Sequence, residues 1–454
     1  MKHSSLLLGV AQTATAALYS QVIQTSYGPV QGAPVVPWNT TFQATSFGNV
    51  CPPGDGASED CLNLNILSSG YSTSAKLPVV FWSFPAGGSA SQALFDGAGM
   101  ASQGIIFVNY NYRVSSFGYL ATPELSAEFE QVTGSNSSGN WGMVDQFAAL
   151  KWVHANIAAF GGDPDRITAM GQSAGSAAVY HVVNSDLTKG LLSGAIAESG
   201  LRSPYDPEAA TLAENYRTLD TALAISESFM ASKNMSTIAE MRELSMDDLT
   251  ADLFGSAYNF GNVLNYYCMP DTYLNTLKND PANDVPFMTG NTKDESGAAT
   301  LTNLTVAEYI AEMTSQYGNG TLAAKFLELY PSSNSTQPNL HMFLDHAPPG
   351  QDQGAHHESE INYDLNNLYG MDLPWEAIDD EIALKMNGYW ANFAKTGNPN
   401  LGGSYLGDNL TTWSPSTLDQ NVTMHVGDGW GATRLASSEQ VAAIVEYLSL
   451  QTPF

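Results

Sequence analysis

Phe160–Tyr180, FGGDPDRITAMGQSAGSAAVY, places Gly171-Gln172-Ser173-Ala174-Gly175 between a short apolar run (Arg166 to Met170) and a stretch of small residues suited to a helix. This order predicts a strand, a sharp turn and a helix, with Ser173 at the apex. A turn that lifts a serine hydroxyl clear of a sheet strains the backbone. Side chains two positions before and after it would collide where strand and helix converge, so glycine is required at 171 and 175. The five-residue pattern alone is weakly specific, and its setting carries the inference.

The chain has 454 residues, 43% of them hydrophobic, enough to bury a large core, and α/β enzymes of this length can form one unit. With 16 basic against 45 acidic side chains its formal charge is -29, which disfavours nucleic acid or anionic lipid as a partner. At the N-terminus Lys2 and His3 precede the apolar run Leu6 to Ala11, and Ala14-Thr15-Ala16-Ala17 offers small residues at cleavage spacing. Residues 1–17 read as a signal peptide, leaving 18–454 as a single domain. No other stretch is apolar for long enough to span a membrane. Eight N-x-S/T sequons, at Asn39, Asn136, Asn234, Asn303, Asn319, Asn334, Asn409 and Asn421, fit a secreted, extracellular glycoprotein. Cys51 and Cys61 can close a small disulfide loop in an oxidising compartment, and Cys268 is left as a buried free thiol.

Outward from the serine, Leu77 to Phe84 and Gly104 to Asn111 are continuous apolar runs, as in strands buried on both faces. Met143 to Ala159 carries Met143, Phe147, Leu150, Val153 and Ile157 on one helical face. Asn63 to Leu67, Gly194 to Glu198, Pro286 to Asn291 and Leu340 to Leu344 read as further strands. Ser20 to Gly32 reads as an opening hairpin turning at Gly28-Pro29. Pro207 to Leu253 is a mostly helical excursion, and helices follow at Leu373 to Lys395 and Gln440 to Leu450. The fold class is therefore α/β, a central, mostly parallel twisted sheet with helices on both faces.

Phe160-Gly161-Gly162, Ile167 and Gly171-x-Ser173-Ala174-Gly175 together resemble the serine signature of type-B carboxylesterases, the cholinesterase and fungal lipase/esterase superfamily of α/β-hydrolases. Glu59 to Asn65 resembles a second signature. Asn111-Tyr112-Arg113, Gly139 to Gln146, Trp152-Val153 with Asn156-Ile157, and Phe393 to Asn400 match in the family's order. The resemblance implies an α/β-hydrolase fold and a serine carboxylic-ester hydrolase that needs no metal or organic cofactor.

A serine hydroxyl needs a base, and the base needs an orienting acid. In α/β-hydrolases the order is serine, acid, histidine. Gly290 to Gly297 resembles the segment carrying the family's catalytic glutamate, which puts Glu295 in that place with Asp294 as the neighbour to exclude. Gly354 to Ile361 resembles the histidine loop; His357 meets both of its spacings, and His356 misses each by one. A metal reading of this loop is poor, since no H-E-x-x-H or cysteine cluster accompanies it. The oxyanion needs amides already aimed at it. The resemblance assigns these to Ala174 and to a glycine-rich loop, here Phe84-Pro85-Ala86-Gly87-Gly88-Ser89. Aligned from the right, its donors are Gly87 and Gly88, with Ala86 in place of a first glycine.

Arg113 and Asp145 fall where the family makes an ion pair near the active site. Gln172 replaces the glutamate common in cholinesterases, and the loop from Cys51 to Cys61 holds no tryptophan to bind choline and no room for a lipase lid. Soluble or short-to-medium-chain esters are the expected substrates. A lipase, an acyltransferase or lactonase acting on a specialised substrate, and a catalytically silent cholinesterase-like binding protein are the alternatives. Three departures accompany these matches. The Gly32 to Cys51 segment is short, Glu59 loses the arginine that usually pairs with it, and Ala169 stands where a larger aliphatic residue is usual.

Overall fold

In the computed structural model the described residues are 23–25, 28–31, 42–43 and 46–453, except 55, 70–71, 208, 210–214, 251–257, 296–304, 319, 331–343, 404–409, 418–421 and 435. Six strands build the central sheet: β1 (Leu64–Ser68), β2 (Leu77–Ser83), β3 (Ile106–Tyr110), β4 (Gly162–Gln172), β5 (Gly194–Glu198) and β6 (Phe287–Gly290). Their spatial order is β6-β5-β4-β2-β3-β1. All neighbours run parallel except β1, which pairs antiparallel with β3. The continuous apolar runs are the central strands, where Val79 to Trp82 and Ile106 to Val108 are fully buried.

Alternate residues of one strand reach different cores, because successive side chains of a strand point to opposite faces. Ile196 and Met170 join the main core with Phe147, Leu150, Met386 and Trp390. Ala195, Ala197 and Ala169 pack instead with Val179 and Val183. The main core is closed by α1 (Trp141–Asn156) and by the helix Ala377–Thr396, the second by α2 (Ala174–Asn184). Ala169, small for its place, lies against that second helix. The other helices used below are α3 (Leu219–Ser232), α4 (Val306–Tyr317), α5 (Thr321–Leu329), α6 (Ile361–Asp364), α7 (Ala377–Thr396) and α8 (Ser438–Ser449). The excursion after the serine turn is helical in α3 and in two short helices, Ile238–Met241 and Met246–Thr250.

Two sequence readings are corrected. The opening hairpin pairs Thr25 with Gly28 and Gln24 with Pro29. Gly28 and Pro29 therefore lie in the second strand and not at a turn. A proline's fixed φ suits extended chain as well as a turn. The helix expected from Leu373 begins at Ala377, because Pro374 disfavours helix in the residue before it and the first turn is closed at Glu376, whose amide donates to Asp379 Oδ2 at 2.7 Å. Of the strand expected at 340–344, only Leu344 is described; it bridges in parallel to Thr292 and to Val426. Cys51 and Cys61 are disulfide-bonded and Cys268 is a buried free thiol. The segment read as a signal peptide and the sequons at Asn39, Asn303, Asn319, Asn334, Asn409 and Asn421 lie outside the described residues. Among the described residues no helix is long and apolar enough to cross a membrane.

Candidate active site

Ser173 stands between β4 and α2 with φ 54° and ψ -118°, a left-handed conformation that a residue with a Cβ holds only under constraint. Its N–H donates to the Glu198 carbonyl at 2.8 Å. A Cβ built on Gly171 would fall 2.4 Å from the Gly175 carbonyl oxygen, and one on Gly175 would fall 1.9 Å from that of Ser83. Both glycines are required by the approach of strand and helix. Ala174 opens α2, where the first amides of a helix have no acceptor within it.

Glu295 follows β6, and His357 lies on a loop whose residue His356 bridges in parallel to Asp294. All three elements reach the carboxyl-end edge of the parallel strands, where α/β sheets place their ligands. Glu295 Oε2 meets His357 Nδ1 at 2.5 Å, and its Oε1 accepts from the Thr292 amide at 2.9 Å and from Asn291 Nδ2 at 3.2 Å. His357 Nε2 has no hydrogen-bond partner among the described residues. Burial raises the Glu295 pKa, but the hydrogen bond and the charge of His357 outweigh it, leaving the carboxyl below its usual range. Burial lowers that of His357, but the Glu295 hydrogen bond and the charges of Glu295, Glu360 and Glu358 leave it raised.

The two alternatives are engaged otherwise. His356 Nδ1 lies 3.2 Å from the Gly354 carbonyl, and Asp294 Oδ2 accepts the Ala355 amide at 2.9 Å. Asp294 ties down the loop whose histidine Glu295 meets.

The glycine-rich loop departs from the alignment. The Gly88 N–H donates to the Pro85 carbonyl at 3.1 Å, closing a turn with Ala86 and Gly87 at its centre. Gly87 has φ +79°, as the third residue of a type II turn requires. A Cβ on Gly88 would meet Phe95 at 2.8 Å and Phe84 at 2.9 Å. Gly88 is thus glycine for packing, and its amide is engaged within the turn, which corrects its reading as a donor. The loop is braced by Tyr112, which stacks on Phe84 at 4.6 Å and donates to its carbonyl.

Arg113 and Asp145 form a two-pronged ion pair, both contacts 2.7 Å, with the Arg113 amide also on Asp145. Glu59 is exposed. Gln172 is buried and donates to Glu360 Oε1 at 3.1 Å, where Ser199 Oγ also donates. Sequence reasoning missed this layer behind the histidine: Glu198, Ser199, Glu360, Asp364 and Trp390. Two of its members were visible in sequence without a role: Glu198, a carboxylate ending the otherwise apolar strand GAIAE, and Glu360, which with Ile361 fixed the spacing of the histidine loop.

A parallel α/β sheet with a serine elbow, and with a histidine–glutamate pair at the same edge, defines an α/β-hydrolase of the serine-hydrolase class. The profile described as "Carboxylesterase family" matches residues 30–337 and 326–442, and the chain belongs to that family. Para-nitrobenzyl esterase of Bacillus subtilis (strain 168) is 29% identical over 422 residues, 80% of this chain and 81% of its own. Carboxylesterase 5A of Canis lupus familiaris is 27% identical over 459 residues, 84% of this chain and 75% of its own. The solved structure titled PNB esterase superposes with a TM-score of 0.73 at 25% identity, over 93% of this chain and 99% of its own. The protein is a carboxylic-ester hydrolase.

Proposed function

We propose that the chain is a secreted serine esterase acting through an acyl-enzyme on soluble or short-to-medium-chain esters. The observation that carries this reading is the 2.5 Å contact between His357 Nδ1 and Glu295, at the sheet edge where the turn raises Ser173. Ser173 Oγ attacks the ester carbonyl while His357 Nε2 takes its proton. The same proton then goes to the leaving alcohol. Glu295 holds the imidazole with its proton on Nδ1 and stabilises the imidazolium that forms. Water repeats the sequence on the acyl-enzyme, releasing the acid and Ser173. The amides of Ala174 and Gly87 hold the oxyanion, with the Ala86 amide in the place first assigned to Gly88.

Short substrates are favoured by the tight Cys51–Cys61 loop, too small to fold over the site as a lid. Secretion is supported by the N-terminal pattern, by that disulfide, and by exposed asparagines at the sequons Asn136 and Asn234. The test is hydrolysis of nitrophenyl esters from acetate to palmitate by the purified protein, with phosphonate labelling. Activity falling with chain length, with label on Ser173, supports the reading. A folded protein with neither activity nor label overturns it.

A further inference from the structure

Away from the serine, His346 is held at both ends of its ring. Asp428, in the turn that joins the antiparallel strands Thr423–His425 and Gly431–Thr433, places Oδ1 2.6 Å from Nδ1. Asp379 of α7 places Oδ1 3.0 Å from Nε2. An ionised carboxylate only accepts, so both ring nitrogens must carry protons, and this pair of contacts belongs to the imidazolium. A neutral ring has one N–H and must give up one partner.

The two partners are unequal. The Asp379 side chain is 1% exposed, and the Tyr363 hydroxyl and the Glu376 amide each donate to it at 2.7 Å. Withdrawing the imidazole would leave this buried charge short of a donor. The Asp428 side chain is 59% exposed and can exchange the ring for water at little cost. Its turn seats closely on the loop, because a Cβ on Gly427 would fall 2.9 Å from the His346 amide nitrogen and 3.0 Å from Asp345 Oδ1. Two further ties do not need a charged ring: the Asp428 amide donates to Asp345 at 2.9 Å, and His425 Nε2 meets the other Asp345 oxygen at 2.7 Å. Leu344 bridges in parallel to both Thr292 and Val426, which sets this segment beside the turn that carries Glu295.

We propose that His346 is a proton-operated latch: protonated, it ties the turn 426–430 to α7 through Asp428, and neutral, it keeps Asp379 and lets Asp428 go. The groups around the ring are Asp428 from the hairpin, Asp379 from α7, Asp345 on its own loop and, from α6, Tyr363, whose ring lies edge-on at 5.7 Å. Burial lowers the His346 pKa, but the hydrogen bonds and charges of Asp428 and Asp379 leave it raised. The latch is therefore complete below about pH 6.5 and is released as pH rises through the folded value.

Two measurements test this without activity. In histidine-labelled protein, with His346 assigned by its loss in His346→Ala, ¹⁵N shifts at about pH 8.5 report the neutral tautomer. A proton on Nε2 with Nδ1 bare is expected, and a proton on Nδ1 overturns the proposal. Backbone hydrogen exchange, divided by intrinsic rates, follows the turn: it should open roughly three- to tenfold more often at about pH 8.5 than at about pH 5.5, while β2 stays unchanged. Asp428→Asn, a change at an exposed side chain, supplies an amide that can donate to the bare Nδ1, so the turn stays protected at the higher pH. Asp428→Ala removes the tie and exchanges at the faster rate at both values. Exchange of the wild-type turn that does not depend on pH overturns the proposal. So does a dependence that persists in Asp428→Ala, or an Asp428→Asn turn as open as wild type at the higher pH.

Discussion

His346 and His357 lie on one stretch of chain and both meet carboxylates, yet the pairings differ in kind. His346 has both ring nitrogens engaged, Nδ1 with Asp428 at 2.6 Å and Nε2 with Asp379 at 3.0 Å. Asp379 also accepts from Tyr363 and from the Glu376 amide. His357 spends one nitrogen on Glu295 and leaves the other without a partner among the described residues. A ring with both nitrogens held is a charged staple between the loop, α7 and the segment after Val426. A ring with one nitrogen held is oriented and still able to move a proton.

The sharpest test of this contrast is removal of each ring. His357→Ala lowers kcat/KM on nitrophenyl acetate by roughly 10⁴- to 10⁶-fold, as does Ser173→Ala, because the two act as a unit. His346→Ala lowers it by less than about tenfold, since no step passes through it. Comparable losses at both positions would erase the distinction. Glu295→Gln follows in size: the amide keeps the shape but loses the charge and favours the wrong tautomer, for a loss of roughly 10²- to 10⁴-fold. A loss below tenfold would show that Glu295 does not orient the base.

The two histidines also separate by pH. For His346 burial lowers the pKa, but the hydrogen bonds and charges of Asp428 and Asp379 outweigh it and leave it raised. A raised folded-state value means that the pairing stabilises fully below about pH 6.5 and is lost as pH rises through the folded value. His357 is raised likewise, but catalysis needs its neutral form. The acid limb of kcat/KM therefore lies above about 6.5, and activity grows over the range in which the His346 staple weakens. His346→Gln keeps hydrogen-bonding capacity and loses the charge, costing roughly 2 kcal/mol of unfolding free energy at about pH 5.5 and clearly less at about pH 8.5. Urea unfolding at the two pH values measures it; an equal loss at both would mean that the ring is held neutral.

The staple and the base were not equally legible in sequence. Glu295 and His357 stood in segments that resemble a family's, and the apolar runs and paired glycines marked the strands and the turn directly. His346 gave no local signal, because its partners lie 33 and 82 residues away. The same is true of the cluster behind His357: Glu198 and Glu360 come together only when β5 and the loop before α6 meet. Gly88 was misread because a glycine required by Phe84 and Phe95 looks the same in sequence as one required by an oxyanion. Periodicity reports which face of an element is apolar, and contacts across the fold lie beyond it.

Arg113 and Asp145 extend the comparison to a cation that does not titrate in this range. The guanidinium makes two parallel contacts while its side chain is 35% exposed, against 6% for Asp145, and the Asp145 hydrogen bond raises the already high arginine pKa. Lysine at this place keeps the charge and loses the planar fork. Arg113→Lys should therefore cost about 1 kcal/mol in urea unfolding, discounted for solvent on the arginine side. The cost should be the same at about pH 5.5 and about pH 8.5, because the guanidinium and the ammonium that replaces it both stay charged over that range. Set beside His346→Gln, this variant separates the loss of a pairing's geometry from the loss of its charge. A pH-dependent cost in Arg113→Lys would remove it as the constant-charge reference for the histidine staple.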